Sequence, residues 1–111
     1  MLDTVATETD LMLRRWHSDA VGRAFLSALA LGHHGTASLT PRLLRRAVEI
    51  DSAYADLGLG LVDASVMAYA ERHGLPILTF DFRDFRATAS AAGPWELLVE
   101  EEELRLARSE N

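Results

Sequence analysis

An α/β fold, a parallel sheet with flanking helices, is what the sequence predicts, and three observations carry the prediction. Leu61, Val62, Val66, Met67, Tyr69 and Ala70 recur at helical spacing, with His73-Gly74 as a stop and Pro76 just beyond. Pro76 to Phe80 (PILTF) is too short and too rich in β-formers for a helix, so it reads as a buried strand. Trp95 to Val99 reads as a last strand. A helix lying between strands runs back along the sheet, so its first turn and the carboxyl end of the next strand become neighbouring points, where α/β folds collect functional groups. The stretch from Leu57 to Phe85 is therefore the part of the chain on which the rest is organised.

Taken in order, Met1 to Val5 reads as the tail of a strand. A helix follows from Thr7 to about Trp16, with Thr7 as its cap, Leu11, Met12 and Trp16 on one face, and Glu8 in the first turn. Ser18 or Asp19 opens a second helix through Val21, Ala24, Phe25, Ala28 and Leu29, which Gly32-His33-His34-Gly35 closes, so the pair forms a helical hairpin. Thr36 to Leu39 alternates weakly, as a short strand does. Thr40-Pro41 then supplies a cap and a proline at the first helical position, starting a third helix through Leu44, Ala47, Val48, Ile50 and Asp51 to about Tyr54. After the Leu57–Phe85 unit, Ala87 to Pro94 is a short helix or loop. Residues 1–99 make one domain, and 100–111 an exposed acidic tail that opens with Glu100 to Glu103.

The 111 residues, 49% of them hydrophobic, suit a single core. No apolar run is long enough to cross a bilayer and the start lacks a secretory pattern, which makes a cytoplasmic location the expectation. With no cysteine, disulfides and thiolate metal sites are excluded, and any metal must be held by oxygen or histidine. His33-His34 sit together in a turn and no HExxH spacing exists, so the 17 acids are the ligands to consider. A net charge of −6 argues against bulk electrostatic capture of nucleic acid. It leaves room for local capture, because all 11 basic residues are arginine and Arg83 and Arg86 lie close to Asp81.

Asp63 falls in the first turn of the central helix and Asp81 directly after the strand. Each has a plain structural explanation, Asp63 and Glu8 as complements to a helix dipole and Asp81 as a turn former. Together they fit a different role, since a hard divalent cation needs converging carboxylate oxygens.

The run GLVDASVMAYAERHGLPILTFDFRDFRA resembles the C-terminal half of a PIN-domain ribonuclease of the VapC toxin type, and VATETDLMLRRW resembles that family's glutamate-bearing helix. The likeness extends from about Val5 to Arg86, with LVDAS and TFDFRDF as its most specific parts. It implies that Glu8, Asp63 and Asp81 belong to an acidic cluster holding Mg²⁺ or Mn²⁺, with Asp84 an accessory carboxylate and Arg83 and Arg86 as phosphate contacts. It further implies an RNA substrate, an antitoxin partner and a homodimer. The family's first strand, ending in Asp-Ser or Asp-Thr, and the helices after it have no counterpart here. Asp3 lies too close to Glu8 to stand in for that strand. The expectation is thus an N-terminally shortened PIN-like sheet lacking its central strand, with weak metal binding and impaired cleavage. The alternative is an inactive remnant that binds an antitoxin or a second copy.

Overall fold

The computed structural model describes residues 1–32, 35–77, 82–98 and 105–107, with the side chain of Phe82 left aside. Helices dominate it: α1 (Asp3–Trp16), α2 (Asp19–Ala30), α3 (Pro41–Ala53), a 3₁₀ turn (Ala55–Leu57), α4 (Gly60–His73) and the short α5 (Phe82–Ala87). Two two-residue strands, β1 (Ala89–Ser90) and β2 (Gly93–Pro94), pair antiparallel in a hairpin.

α4 occupies the centre because its sequence is apolar or small on most sides. Ala64, Met67 and Ala68 are buried along one face and Ser65 and Ala70 on others, as befits a helix covered from several directions. On one side packs α3, whose buried Leu43, Ala47 and Ile50 fall at i, i+4 and i+7. α1 lies against another side of α4, and α2 lies along α1. Ile77 and Phe85 close the core beyond the C-terminus of α4.

The helix ends obey the expected chemistry. Ser18 Oγ accepts from Val21 N at 3.2 Å, Thr40 Oγ1 accepts from Leu43 N at 3.2 Å, and Pro41 holds the first position of α3. Gly74, at φ 61°, takes the left-handed conformation that ends α4, and its N–H donates to Ala70 O. Arg46 of α3 grips Glu71 of α4 with two hydrogen bonds, Nε to Oε1 at 2.8 Å and Nη2 to Oε2 at 3.0 Å. Glu71 Oε2 also accepts from Ala91 N at 3.0 Å, which ties the β1–β2 hairpin to the helix pair.

Several sequence expectations change. α1 begins at Asp3, four residues before the expected cap, because Asp3 Oδ1 accepts from Thr4 N at 2.8 Å, while Thr7 Oγ1 donates to Asp3 O as a residue inside the helix. Ala87 to Pro94 contains a hairpin, and Phe82–Ala87 forms a helix that the sequence reading did not anticipate. A parallel sheet does not appear among the described residues. Its place is taken by two isolated parallel bridges, Leu2 with Ala37 and Ile77 with Leu97. Of the strands expected at Met1–Val5 and Thr36–Leu39 one bridge remains, Asp3–Val5 belonging to α1, and the described residues of Pro76–Phe80 and Trp95–Val99 hold the other bridge. Leu78 to Phe80, Val99 and Glu100 to Glu103 lie outside the described residues, as do His33 and His34.

Candidate active site

A cavity of about 180 Å³ opens where α1 faces α4. α1 contributes Val5, Glu8, Thr9 and Met12, α4 contributes Val62, Asp63 and Val66, and Ile77 and Phe85 complete the wall. Glu8, exposed, and Asp63, half-buried, 55 positions apart in the chain, thus line one open cleft.

Local folding explains why. On α1, Val5, Glu8, Thr9 and Met12 follow the i, i+3, i+4, i+7 pattern and form one face. On α4, Val62, Asp63 and Val66 do the same at i, i+1 and i+4. The earlier start of α1 also bears on Glu8. It now lies in the second turn, and a dipole contribution, which fades beyond the first turn, no longer accounts for it. Asp63 remains within the first turn of α4, half-buried, where the dipole and a ligand role are compatible.

The other expected residues fall in different places. Asp81 lies outside the described residues, between Ile77 and α5. Asp84 is buried on α5 and accepts from Arg83 Nε at 3.2 Å. It does not line the cavity. Arg83 and Arg86 are exposed on α5, to either side of Phe85, which does line it. Asp3 also stays out of the cavity, because its carboxylate accepts from Leu39 N at 3.2 Å through both oxygens and so clasps α1 to the segment before α3.

The donor set can be tested against a cation by its chemistry. Two carboxylates from facing helices are hard oxygen donors of the kind Mg²⁺ or Mn²⁺ prefers, Glu8 exposed to solvent and Asp63 half-buried. The donor type therefore suits such an ion. Among the described residues no group of three or more His, Cys, Asp or Glu gathers in metal-holding geometry, so the fit rests on this pair. No described helix is long and apolar enough to cross a membrane.

Sequence reasoning missed Thr9 and Phe85 as cavity residues and Thr4 and Ser65 beside them. Ser65 carried a signal: it is the one serine or threonine of α4, set amid small and apolar residues, and it is fully buried.

A central helix with a carboxylate in its first turn, facing a glutamate on a neighbouring helix across a small cleft, defines an acidic site in a helix-rich α/β domain. The chain belongs to the PIN domain family, whose model matches residues 4–91 and so takes in both of these helices and α5. That membership points to nuclease-type chemistry. No curated protein matches the chain.

Proposed function

We propose that this chain is a metal-dependent endoribonuclease domain of the VapC toxin type, with Glu8, Asp63 and Asp81 as its acidic residues. The observation that carries the proposal is the meeting of Glu8 and Asp63 in one cavity, on two helices within the matched family region. A hard divalent ion bound there supplies acidification of a water and neutralisation of charge on a phosphodiester. Glu8 and Asp63 would hold such an ion, with Asp81 as the third acidic residue that the family resemblance implies. Arg83 and Arg86, exposed on α5, reach outward for the flanking phosphates of the RNA, and Asp84 fixes the Arg83 side chain through its hydrogen bond. Ligands as few as these give weak ion binding.

The same reading supplies a partner surface for an antitoxin or a second copy. Leu11, Met12 and Trp16 of α1, with Val21 and Leu26 of α2, are exposed large apolar side chains on one helical hairpin. They also support the second reading, a binding module without catalysis.

The deciding experiment measures cleavage of single-stranded RNA in Mg²⁺ and in Mn²⁺, together with Mn²⁺ binding followed by electron paramagnetic resonance. Glu8→Gln and Asp63→Asn should each lower cleavage and ion affinity by at least about tenfold, given that even residues behind a metal's own ligands have effects of that size. Ion binding unchanged by both substitutions would remove the site. Ion binding without cleavage would leave the binding-module reading.

A further inference from the structure

We propose that Thr4 and Ser65 are positioning residues that set the separation of Glu8 and Asp63, a role that rests on the metal-site reading of those carboxylates. The two hydroxyls meet at 2.9 Å across 61 residues of sequence and join α1 directly to α4. Ser65 Oγ donates its proton to Val62 O at 2.8 Å, so in the pair with Thr4 it is the acceptor and Thr4 Oγ1 is the donor. Val62, whose carbonyl anchors this chain of bonds, itself lines the cavity next to Asp63.

Two comparisons make the contact more than a satisfied polar pair. Thr7 and Thr9, on the same helix, turn their hydroxyls back to helix carbonyls, Asp3 O at 2.9 Å and Val5 O at 2.7 Å, as threonines in helices usually do. Thr4 instead reaches across to α4. Further, no residue of α1 is fully buried, and the Asp3–Leu39 clasp holds α1 to the segment before α3 and not to α4. The Thr4–Ser65 bond is a direct polar link between α1 and α4. Thr4 and Glu8 stand four residues apart on one face of α1, and Ser65 stands two residues beyond Asp63 on α4, so a slip of α1 moves Glu8 relative to Asp63 directly.

The test uses Mn²⁺ alone as probe, titrated into the full chain and read by electron paramagnetic resonance, with circular dichroism reporting helix content. Thr4→Val keeps the shape and removes the donor; it should weaken Mn²⁺ binding by about tenfold, the lower range for groups that orient metal ligands. Thr4→Ser restores the donor and should bind within about twofold of the original. Thr7→Val, whose hydroxyl bonds only within α1, should leave affinity unchanged. Should Thr4→Val fail to fold, Ser65→Ala, which removes the acceptor, is read in the same way. Thr4→Val binding as tightly as the original, or Thr4→Ser binding as poorly as Thr4→Val, overturns the positioning role while the site stands. A chain whose Mn²⁺ binding is absent or indifferent to Asp63→Asn overturns the site and the positioning role together.

Discussion

Asp3 and Asp63 show how far residue type alone determines role. Both are aspartates in the first turn of a helix, and both face the same dipole. Asp63 opens onto a cavity shared with Glu8, whereas both oxygens of Asp3 are committed to Leu39 N and one also takes Thr4 N. Asp3→Ala should therefore leave any Mn²⁺ affinity unchanged while costing about 1 kcal/mol of stability from the lost hydrogen bonds to Thr4 N and Leu39 N. Chemical denaturation beside an ion titration separates the two effects, and a fall in affinity with stability preserved would place Asp3 in the site. Met67 is the opposite kind of residue, with no exposed surface and no charge. Its truncation to alanine leaves a void at the centre of α4 and should cost about 2–5 kcal/mol, read as a lowered denaturation midpoint.

At the scale of elements, the joint between α3, α4 and the β1–β2 hairpin is electrostatic. The Arg46 guanidinium holds the Glu71 carboxylate below the usual glutamate range, burial opposes this, and the Ala91 N–H adds to the depression. Glu71 in turn, with Glu49, raises the Arg46 value well above its ordinary level. For a carboxylate depressed in the folded state, the linked stability is fully present above the unfolded glutamate value and disappears as pH falls through the lower native value. Acid should thus loosen the hairpin from α4, and Glu71→Gln should flatten the part of the stability profile that lies below the unfolded glutamate value while costing about 1–2 kcal/mol at neutrality. An unaltered acid limb in urea unfolding of Glu71→Gln would contradict the assignment.

The same scale shows what was legible in the sequence. α2, α3 and α4 stand close to where periodicity and caps placed them, because Ser18, Thr40-Pro41 and Gly74 are local signals needing no distant partner. The start of α1 differs from the expected Thr7 cap because Asp3, which accepts locally from Thr4 N, also reaches Leu39 N 36 residues away, a contact that no local signal specifies. The hairpin at Ala89–Pro94 was missed for a similar reason: Ala91 N finds its acceptor on Glu71, and Ala89 N finds the Tyr54 hydroxyl at 3.1 Å. Glu8 and Asp63 stand out in the sequence as carboxylates on two helices, and the structure puts both on one cleft, but the Thr4–Ser65 contact has no sequence signal of that kind. Nothing in helical spacing specifies which faces of α1 and α4 oppose each other.

For the whole molecule, the two parallel bridges matter more than their size implies. Leu2 and Ala37 from one, and Ile77 from the other, line a second cavity of about 460 Å³, together with Val66, Tyr69 and Leu75. This hollow is largely apolar, and exposed apolar side chains lie elsewhere on the surface, with Trp16 at 70% and Leu31 at 75% exposure. Apolar surface of this kind is removed from water by association, at roughly 25 cal/mol for each Å² buried. The net charge of −6 resists close approach of two copies and does so less as salt screens it. The chain should therefore self-associate with rising concentration, and more strongly at high ionic strength than at low. Light scattering at several salt concentrations reads the mass, and amide exchange at Ile77, whose N–H donates to Glu96 O at 2.8 Å, reads the order of the bridge beside the hollow. A monomer at high concentration and high salt, with Ile77 strongly protected, would mean that these apolar surfaces are tolerated in water and that the bridges need no neighbour to hold them.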